Sequence, residues 1–343
     1  MAGDWDYRAI VAGFLGALVV LAVVLWVVGI GEILAQLGRV DLRFAVVLPV
    51  FALGWLFCWG LALRSVLGTL GISLSVTKAF LVFLSATFVN NITPFGQAGG
   101  EPFTALLIAR VSESEYETGL AAIASVDAVN FVPSIAIAFV AVSYYAVTVA
   151  VTDRLLDVAL VMVALTVVVG VTAALAWRYR YGLETRVVRV VSPLVRRVGH
   201  VVPRMNPPKP KAIRRRIENF FATIERVAQD RRSMAMTLAF STAGWLMLVT
   251  CLWLSFLALG LRDPDLLAAA MLGVPLGALA SVTPLPGGLG GIEAVLLMVL
   301  PTVTGVGAAT VGAVILVHRV ASYWIPMLVG GGATAALGTA QRG

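Results

Sequence analysis

The sequence predicts an all-α polytopic membrane protein, with about six full spans and two broken or re-entrant helical pairs in an inverted pseudo-repeat. Three observations predict it. Of 343 residues, 60% are hydrophobic and 13% charged, against about 45–50% apolar and 25% charged in soluble domains. The apolar runs are continuous and about twenty residues long, enough for a helix to cross a 30 Å hydrocarbon core. Barrel strands would alternate in hydropathy instead, and open strand edges cannot face lipid. Finally, two loops deep in apolar stretches share one pattern. They are Thr93-Pro94-Phe95-Gly96-Gln97-Ala98-Gly99-Gly100-Glu101-Pro102 and Thr283-Pro284-Leu285-Pro286-Gly287-Gly288-Leu289-Gly290-Gly291-Ile292-Glu293. Each begins with Thr-Pro, passes through a Gly-Gly pair and ends in a carboxylate. Helices broken at corresponding points of two repeats point to a transporter.

Taken in order, the first apolar run, Ala9 to Ile30, is too long for a signal-peptide core and lacks a cleavage site, so it reads as a retained span. Further full spans are expected at 44–67, 118–150, 155–177, 233–260 and 308–336. Pro133 should tilt or kink the third of these six. Regions 76–111 and 266–304 each consist of two half-segments too short to span, separated by one of the loops. Such backbone survives at membrane depth only when buried in protein or lining a wet cavity. Residues 178–232 contain 15 Arg or Lys and four acids, whereas the remainder holds 10 basic and 14 acidic groups. A nucleic-acid domain would need aromatic platforms or a recognition motif that this block lacks. The positive-inside rule makes it a cytoplasmic loop. Within it, Lys211–Arg232 reads as an amphipathic helix that lies on anionic lipid head groups or packs on the protein. Pro203, Pro207, Pro208 and Pro210 make the linker before it extended. The whole chain, 1–343, is then one transmembrane domain with this loop inserted. Counting spans from the loop puts both termini in the cytoplasm of a multi-pass cell-membrane protein. The two broken pairs then enter from opposite sides.

Glu101 and Glu293 are the first candidates for function. A carboxylate at mid-helix costs about 2.5–3.5 kcal/mol on insertion scales and usually faces an interior or a cavity. Each stands beside glycines at the expected start of a half-helix, where free N–H groups suit an anion such as phosphate. The carboxylate itself would cap the helix, hold an Arg or take a proton. Asp127 and Asn130 lie three residues apart on one face of the next span. Asn90 and Asn91 precede the first loop and supply turn hydrogen bonds or ligand contacts. Arg319, near mid-depth in the last span, needs Glu101, Asp127 or Glu293 as partner, or else binds phosphate bidentately. His318 beside it reads as a satisfied helix histidine, and one His is no metal site. Arg64, Lys78 and Arg110 read as anchors at cytoplasmic ends. Trp5, Trp26, Trp55, Trp59, Trp177 and Trp324 suit an interfacial belt. The acidic turn from Ser112 to Glu117 reads as a helix start with a capping box. Cys58 and Cys251 give no disulfide framework and no metal spacing. No P-loop, nucleophile elbow or metalloprotease helix is present. No cofactor is expected.

With those residues in view, the chain resembles the lysylphosphatidylglycerol-synthase transmembrane family, the flippase-like integral membrane proteins, over about residues 10–335. The resemblance rests on an ordered set: Asn90, Pro94-Phe95-Gly96 through Gly99-Gly100-Glu101, Asp127, the loop Pro284-Leu285-Pro286-Gly287-Gly288-Leu289-Gly290 with Glu293, and Arg319. It implies a lipid-translocating domain. Stand-alone relatives are associated with lipid-linked sugars and cell-surface glycosylation, so a glycosyltransferase partner is one implication. The chain has no room for the synthase's soluble transferase. The family often places an Arg just after the Gly-Gly-Glu segment, where this chain has Pro102-Phe103-Thr104. The expected function is movement of a phosphate-bearing lipid, a polyprenyl-phosphate sugar or a phospholipid, without ATP hydrolysis and without enzymatic chemistry. The alternatives are a membrane lipid-phosphate transferase or phosphatase, and a scaffold for a glycosyltransferase. The expected site comprises Asn90, Pro94, Gly99, Gly100, Glu101, Asp127, Asn130, Pro284, Gly287, Gly288, Glu293 and Arg319. Its partners are the lipid substrate and anionic head groups, with no nucleic acid.

Overall fold

The computed structural model describes residues 29–93, 97–148, 178, 210–281, 283 and 285–340. Apart from Gly29 and Ile30, the expected spans at 9–30 and 155–177 lie outside them, as do Pro94, Pro284 and most of the basic linker. The described elements are all helical: α1 (Ile30–Leu37), α2 (Leu42–Thr69), α3 (Val76–Ile92), α4 (Gln97–Ser112), α5 (Tyr116–Thr148), α6 (Pro210–Gln229), α7 (Arg231–Ala258), α8 (Asp265–Ala280), α9 (Gly291–Thr304), α10 (Ala308–Arg319) and α11 (Ile325–Ala340). A short 3-10 turn, Pro286–Gly288, precedes α9, and a π turn, Val320–Trp324, joins α10 to α11. Five described runs are long and apolar enough to cross a membrane. Four of them coincide with expected spans. The fifth, Pro286–Thr304, joins the 3-10 turn to α9, so this half of the second broken pair is longer than expected.

Alpha-helices α2 and α7 form the most extensive helix contact of the bundle. Leu56, Trp59, Leu63, Val66 and Leu67 recur at three- and four-residue spacing on one buried face of α2. They meet Trp245, Leu248, Val249, Leu252 and Phe256 of α7 in one core cluster. Lipid is as apolar as this core, so burial alone does not hold the helices together; packing and interhelical hydrogen bonds do. Trp59 Nε1 donates to the Ser241 carbonyl at 3.2 Å, and Ser65 meets Ser233 at 3.2 Å. The Ser241 hydroxyl donates to Asn130 Oδ1, and Trp245 Nε1 donates to the Asn130 carbonyl at 3.0 Å. Such bonds average about 0.6 kcal/mol in membrane proteins, so this set fixes register more than it adds stability.

Asp230 separates two helices that composition alone would merge. Its Oδ1 accepts from the Arg232 and Ser233 amides at 3.1 Å each, and its Oδ2 takes the Thr69 hydroxyl at 3.1 Å. The basic helix therefore stops at Gln229, not Arg232, and Arg231 and Arg232 open α7. The Ser233 amide and then the Thr69 hydroxyl hold the Asp230 carboxyl below the usual carboxylate range. A carboxyl lowered by folding adds stability above its unfolded pKa and loses it as pH falls through the folded value. Asp230→Ala should therefore lower the melting midpoint in detergent at neutral pH. The gap from the native protein should begin to narrow below about pH 4 and close only below the folded value; an equal gap at neutral and at low pH would show that the charge has no role.

Helix α6 docks on α5. Val227 is buried, while Phe220, Phe221 and Ile224 are half-buried. Asn219 Nδ2 donates to Glu115 at 3.3 Å, in the turn between α4 and α5. That turn does not carry the expected capping box. Ser112 is the last residue of α4, and its hydroxyl bonds back to the Ile108 carbonyl at 2.7 Å. Glu113 turns the chain with a left-handed φ of 52°.

Both expected broken pairs are present. The first, α3 and α4, breaks between Thr93 and Gln97, where the Thr93 hydroxyl bonds back to the Val89 carbonyl at 2.7 Å. The second, α8 and α9, breaks between Ser281 and Gly290, through three glycines with positive φ (Gly287, Gly288 and Gly290). The breaks meet. The 3-10 turn packs on α3, and a Cβ on Gly287 would lie 3.2 Å from the Asn91 carbonyl oxygen. Helix α11 packs along α3, and α8 packs along α5.

Candidate functional site

The second break and the end of α10 build a charged knot inside the bundle. Arg319 is 4% exposed and Glu293 3% exposed. Arg319 Nε lies 2.7 Å from Glu293 Oε1. The Nε–H is not aimed at that oxygen, so the contact is an ion pair and not a directed hydrogen bond. Nη2 donates to the Gly287 carbonyl at 3.2 Å, and the guanidinium stands 4.8 Å from the centroid of the Tyr323 ring. The other carboxylate oxygen, Glu293 Oε2, accepts the Gly290 amide at 2.7 Å. Glu293 is therefore both the N-terminal cap of α9 and the counter-ion of Arg319. The π turn starts directly after Arg319; such turns are frequent at functional sites.

Two glycines admit this geometry. Gly287 has φ +57°, and a side chain there would overlap the Tyr323 ring. Gly100 lets α4 enter against α3, since a Cβ would collide with the Asn90 amide oxygen and lie 3.0 Å from Asn90 Cα.

A cavity of about 250 Å³ opens beside the knot. One wall carries Gly287, His318, Arg319 and Ser322; another carries Asn90 and Asn91 from α3. Asp127, Asn130 and Ser134 of α5 form a third, and Trp55, Trp59 and Trp245 close it. Several lining groups have a buried polar atom without a protein partner: Asn90 Oδ1, Asn91 Nδ2, His318 Nδ1, Ser322 Oγ and Trp55 Nε1. The lining is mostly apolar, with the side chains of Asn90, Asn91, Asp127, Asn130, Ser134, His318, Arg319 and Ser322 set into it.

The two corresponding glutamates differ. Glu101 is the fifth residue of α4, inside the helix. Its helix packs on α5, which carries Asp127. The expectation that both half-helix N-termini offer free amides to an anion is corrected at α9, where Glu293 already takes the Gly290 amide.

The structure thus brings Asn90, Asp127, Asn130, Gly287 and Arg319 to one cavity, with Glu293 paired to Arg319. Gly99, Gly100 and Glu101 form the start of α4 next to it. Gly288 shapes the second break, with φ +64° and a Cβ position 2.8 Å from Ser281 Cα. Pro94 and Pro284 lie outside the described residues. Trp55 and Trp59 are not in an interfacial belt. They are buried, and Trp59 stacks edge-on with Trp55 and Trp245 at 5.1 and 5.5 Å. Trp324 is exposed, as the belt requires, while Trp5, Trp26 and Trp177 lie outside the described residues. Sequence reasoning also missed Ser134, Ser322 and Tyr323. Spacing could have found two of them: Asp127, Asn130 and Ser134 form an i, i+3, i+7 polar stripe, and Tyr323 follows Arg319 by four residues. No three His, Cys, Asp or Glu side chains converge as a metal would need among the described residues.

An apolar helical bundle with two helix pairs broken at glycine-rich loops around an arginine-lined cavity is a multi-pass membrane protein. The chain belongs to the family of the lysylphosphatidylglycerol synthase TM region, whose family model matches residues 10–330. A UPF0104 membrane protein of Methanothermobacter thermautotrophicus is 30% identical over 330 residues, covering 94% of this chain and 92% of the relative. A UPF0104 membrane protein of Pyrococcus horikoshii is 24% identical over 310 residues, covering 90% and 91%.

Proposed function

We propose that this protein is a flippase-like transporter that moves a phosphate-bearing lipid across the cell membrane without hydrolysing ATP or altering the lipid. The observation that carries this reading is Arg319, a buried cation on the wall of a cavity where the two helix breaks meet. A guanidinium has five donors in a planar fork suited to phosphate. In this conformation two of its nitrogens face Glu293 and the Gly287 carbonyl. An arriving phosphate would exchange for one of these contacts, and Glu293 would keep its hold on Gly290. Asn91 and Ser322 also line the cavity. The head group would pass through the cavity while the prenyl or acyl tail stays in lipid. A polyprenyl-phosphate sugar and a glycerophospholipid both meet these terms.

The basic segment would face the cytoplasm, with both termini on that side. Exposed Arg215 and Arg226 of α6 would meet anionic head groups there.

The test is translocation in proteoliposomes, with matched fluorescent lipids that differ only in bearing a phosphate. Flipping well above protein-free vesicles, confined to the phosphate-bearing lipids, is expected. Equal flipping of both, or a new lipid product formed by the purified protein, would contradict the proposal.

A further inference from the structure

One side chain belongs both to the cavity and to the outer surface of the bundle. Of the described residues that line the cavity, Phe131 of α5 alone is exposed, at 45%. The cavity does not account for that exposure. Asn130 and Ser134 line the same space from the same helix, yet are 8% and 7% exposed. Beside Phe131 on the outer face stands Val132, 55% exposed and outside the cavity lining. Helix α5 is long and apolar enough to span a membrane. Phe131 lies about 23 Å along the helix from its first residue and about 26 Å from its last. At that depth the outer surface meets hydrocarbon, so the cavity borders lipid at Phe131.

The two broken pairs explain why the border falls there. Helix α4 packs on the first half of α5, where a Cβ on Gly119 would lie 2.5 Å from the Ala105 carbonyl oxygen. Helix α8 packs on the second half. Its Asp265 carbonyl accepts the Tyr145 hydroxyl at 3.2 Å, and Ala268 and Leu272 share a core cluster with Ala141 and Tyr145. Both α4 and α8 have 16 residues, so each covers about 23 Å of α5 from one end. The start of α4, at the first break, and the end of α8, at the second, thus come to the level of Phe131 from opposite ends. Ala278 and Ser281, in the last turn of α8 and just beyond it, line the cavity with Phe131.

We infer that Phe131 marks a lateral portal, through which the lipid head group passes between the bilayer and the cavity wall that carries Arg319 while the tail stays outside. The portal deepens the transport reading and takes its substrate from it. The phenyl ring has no polar atom to satisfy, so it can stand against the first carbons of a prenyl or acyl chain at the rim.

Two measurements test it. The first needs no lipid movement. In dodecyl maltoside, benzoylphenylalanine in place of Phe131 should photolabel fluorescent phosphatidylglycerol or polyprenyl phosphate, and excess unlabelled lipid should abolish the adduct. A matched lipid without phosphate should give little. The same reporter in place of Val132 should label all of these lipids alike and without saturation. An adduct at position 131 that behaves like the one at 132, or no lipid adduct there, overturns the portal. The second measurement is flipping in proteoliposomes after Phe131→Cys and Val132→Cys are purified and alkylated with N-cyclohexylmaleimide. Alkylation follows folding, and the native Cys58 and Cys251 are buried, so equally treated native protein is the control. Flipping should be lost with position 131 blocked and kept with 132 blocked. Flipping that persists with 131 blocked overturns the portal and leaves the transport reading standing. A saturable adduct at 131 without flipping by the native protein overturns the transport reading and leaves the portal as a lipid-phosphate entrance.

Discussion

Arg319→Ala is expected to abolish lipid translocation and to destabilise the protein by about 3–5 kcal/mol, the cost of leaving a buried charge without its partner. The charge left behind is Glu293, 3% exposed and otherwise bonded only to the Gly290 amide. Loss of transport in this single variant could therefore be read as misfolding. The pair Glu293→Gln with Arg319→Met separates the two effects. Replacing both members of a buried ion pair with neutral side chains of similar volume is often neutral or stabilising. Gln still offers an oxygen to the Gly290 amide. Denaturant unfolding in detergent should show the double variant regaining most of the lost stability, while flipping stays at the protein-free level. Transport restored together with stability would show that the guanidinium serves the fold alone.

Gly287→Ala should have the next largest effect. The backbone at φ +57° disfavours an L-residue by about 1–2 kcal/mol. The added methyl also overlaps the Tyr323 ring and lies 3.2 Å from the Asn91 carbonyl. The ring cannot yield without leaving its place under the Arg319 guanidinium, and the carbonyl is backbone. Gly305→Ala is the matched control, with φ +67° but nothing within 4 Å of the new methyl. Both variants should lose the backbone contribution in thermal melts. Only Gly287→Ala should lose flipping, and equal activity in the two would remove the helix-break contact from the mechanism.

The four described spans and both breaks were legible because each rests on a one-dimensional property. A span is a length of apolar chain, and Thr-Pro with paired glycines interrupts a helix wherever it stands. The jobs of the two glutamates were not legible. Their loops read alike, yet Glu293 caps α9 and faces Arg319, while Glu101 stands inside α4. What decides is the group across the gap, which α10 supplies to Glu293. Trp55 and Trp59 were misplaced for a related reason. Helix α2 is apolar on its lipid face and its buried face alike, with Val46 and Val50 exposed and Leu56 and Leu63 buried. Composition therefore could not say which way a Trp points. The π turn after Arg319 leaves no mark in the sequence, since Val320–Trp324 would suit an ordinary helix.

Photo-crosslinking tests most directly whether this cavity is the path of the phosphate head group. A polyprenyl phosphate and a phosphatidylglycerol, each with a photoreactive group beside the phosphate, would be activated in proteoliposomes and the adducts mapped by mass spectrometry. Adducts on Asn90, Ser134 and Ser322, removed by excess unlabelled lipid, are the predicted result. Adducts confined to outward-facing positions such as Val46, Val50 and Leu328 would mean that the head group never enters, and would contradict the account.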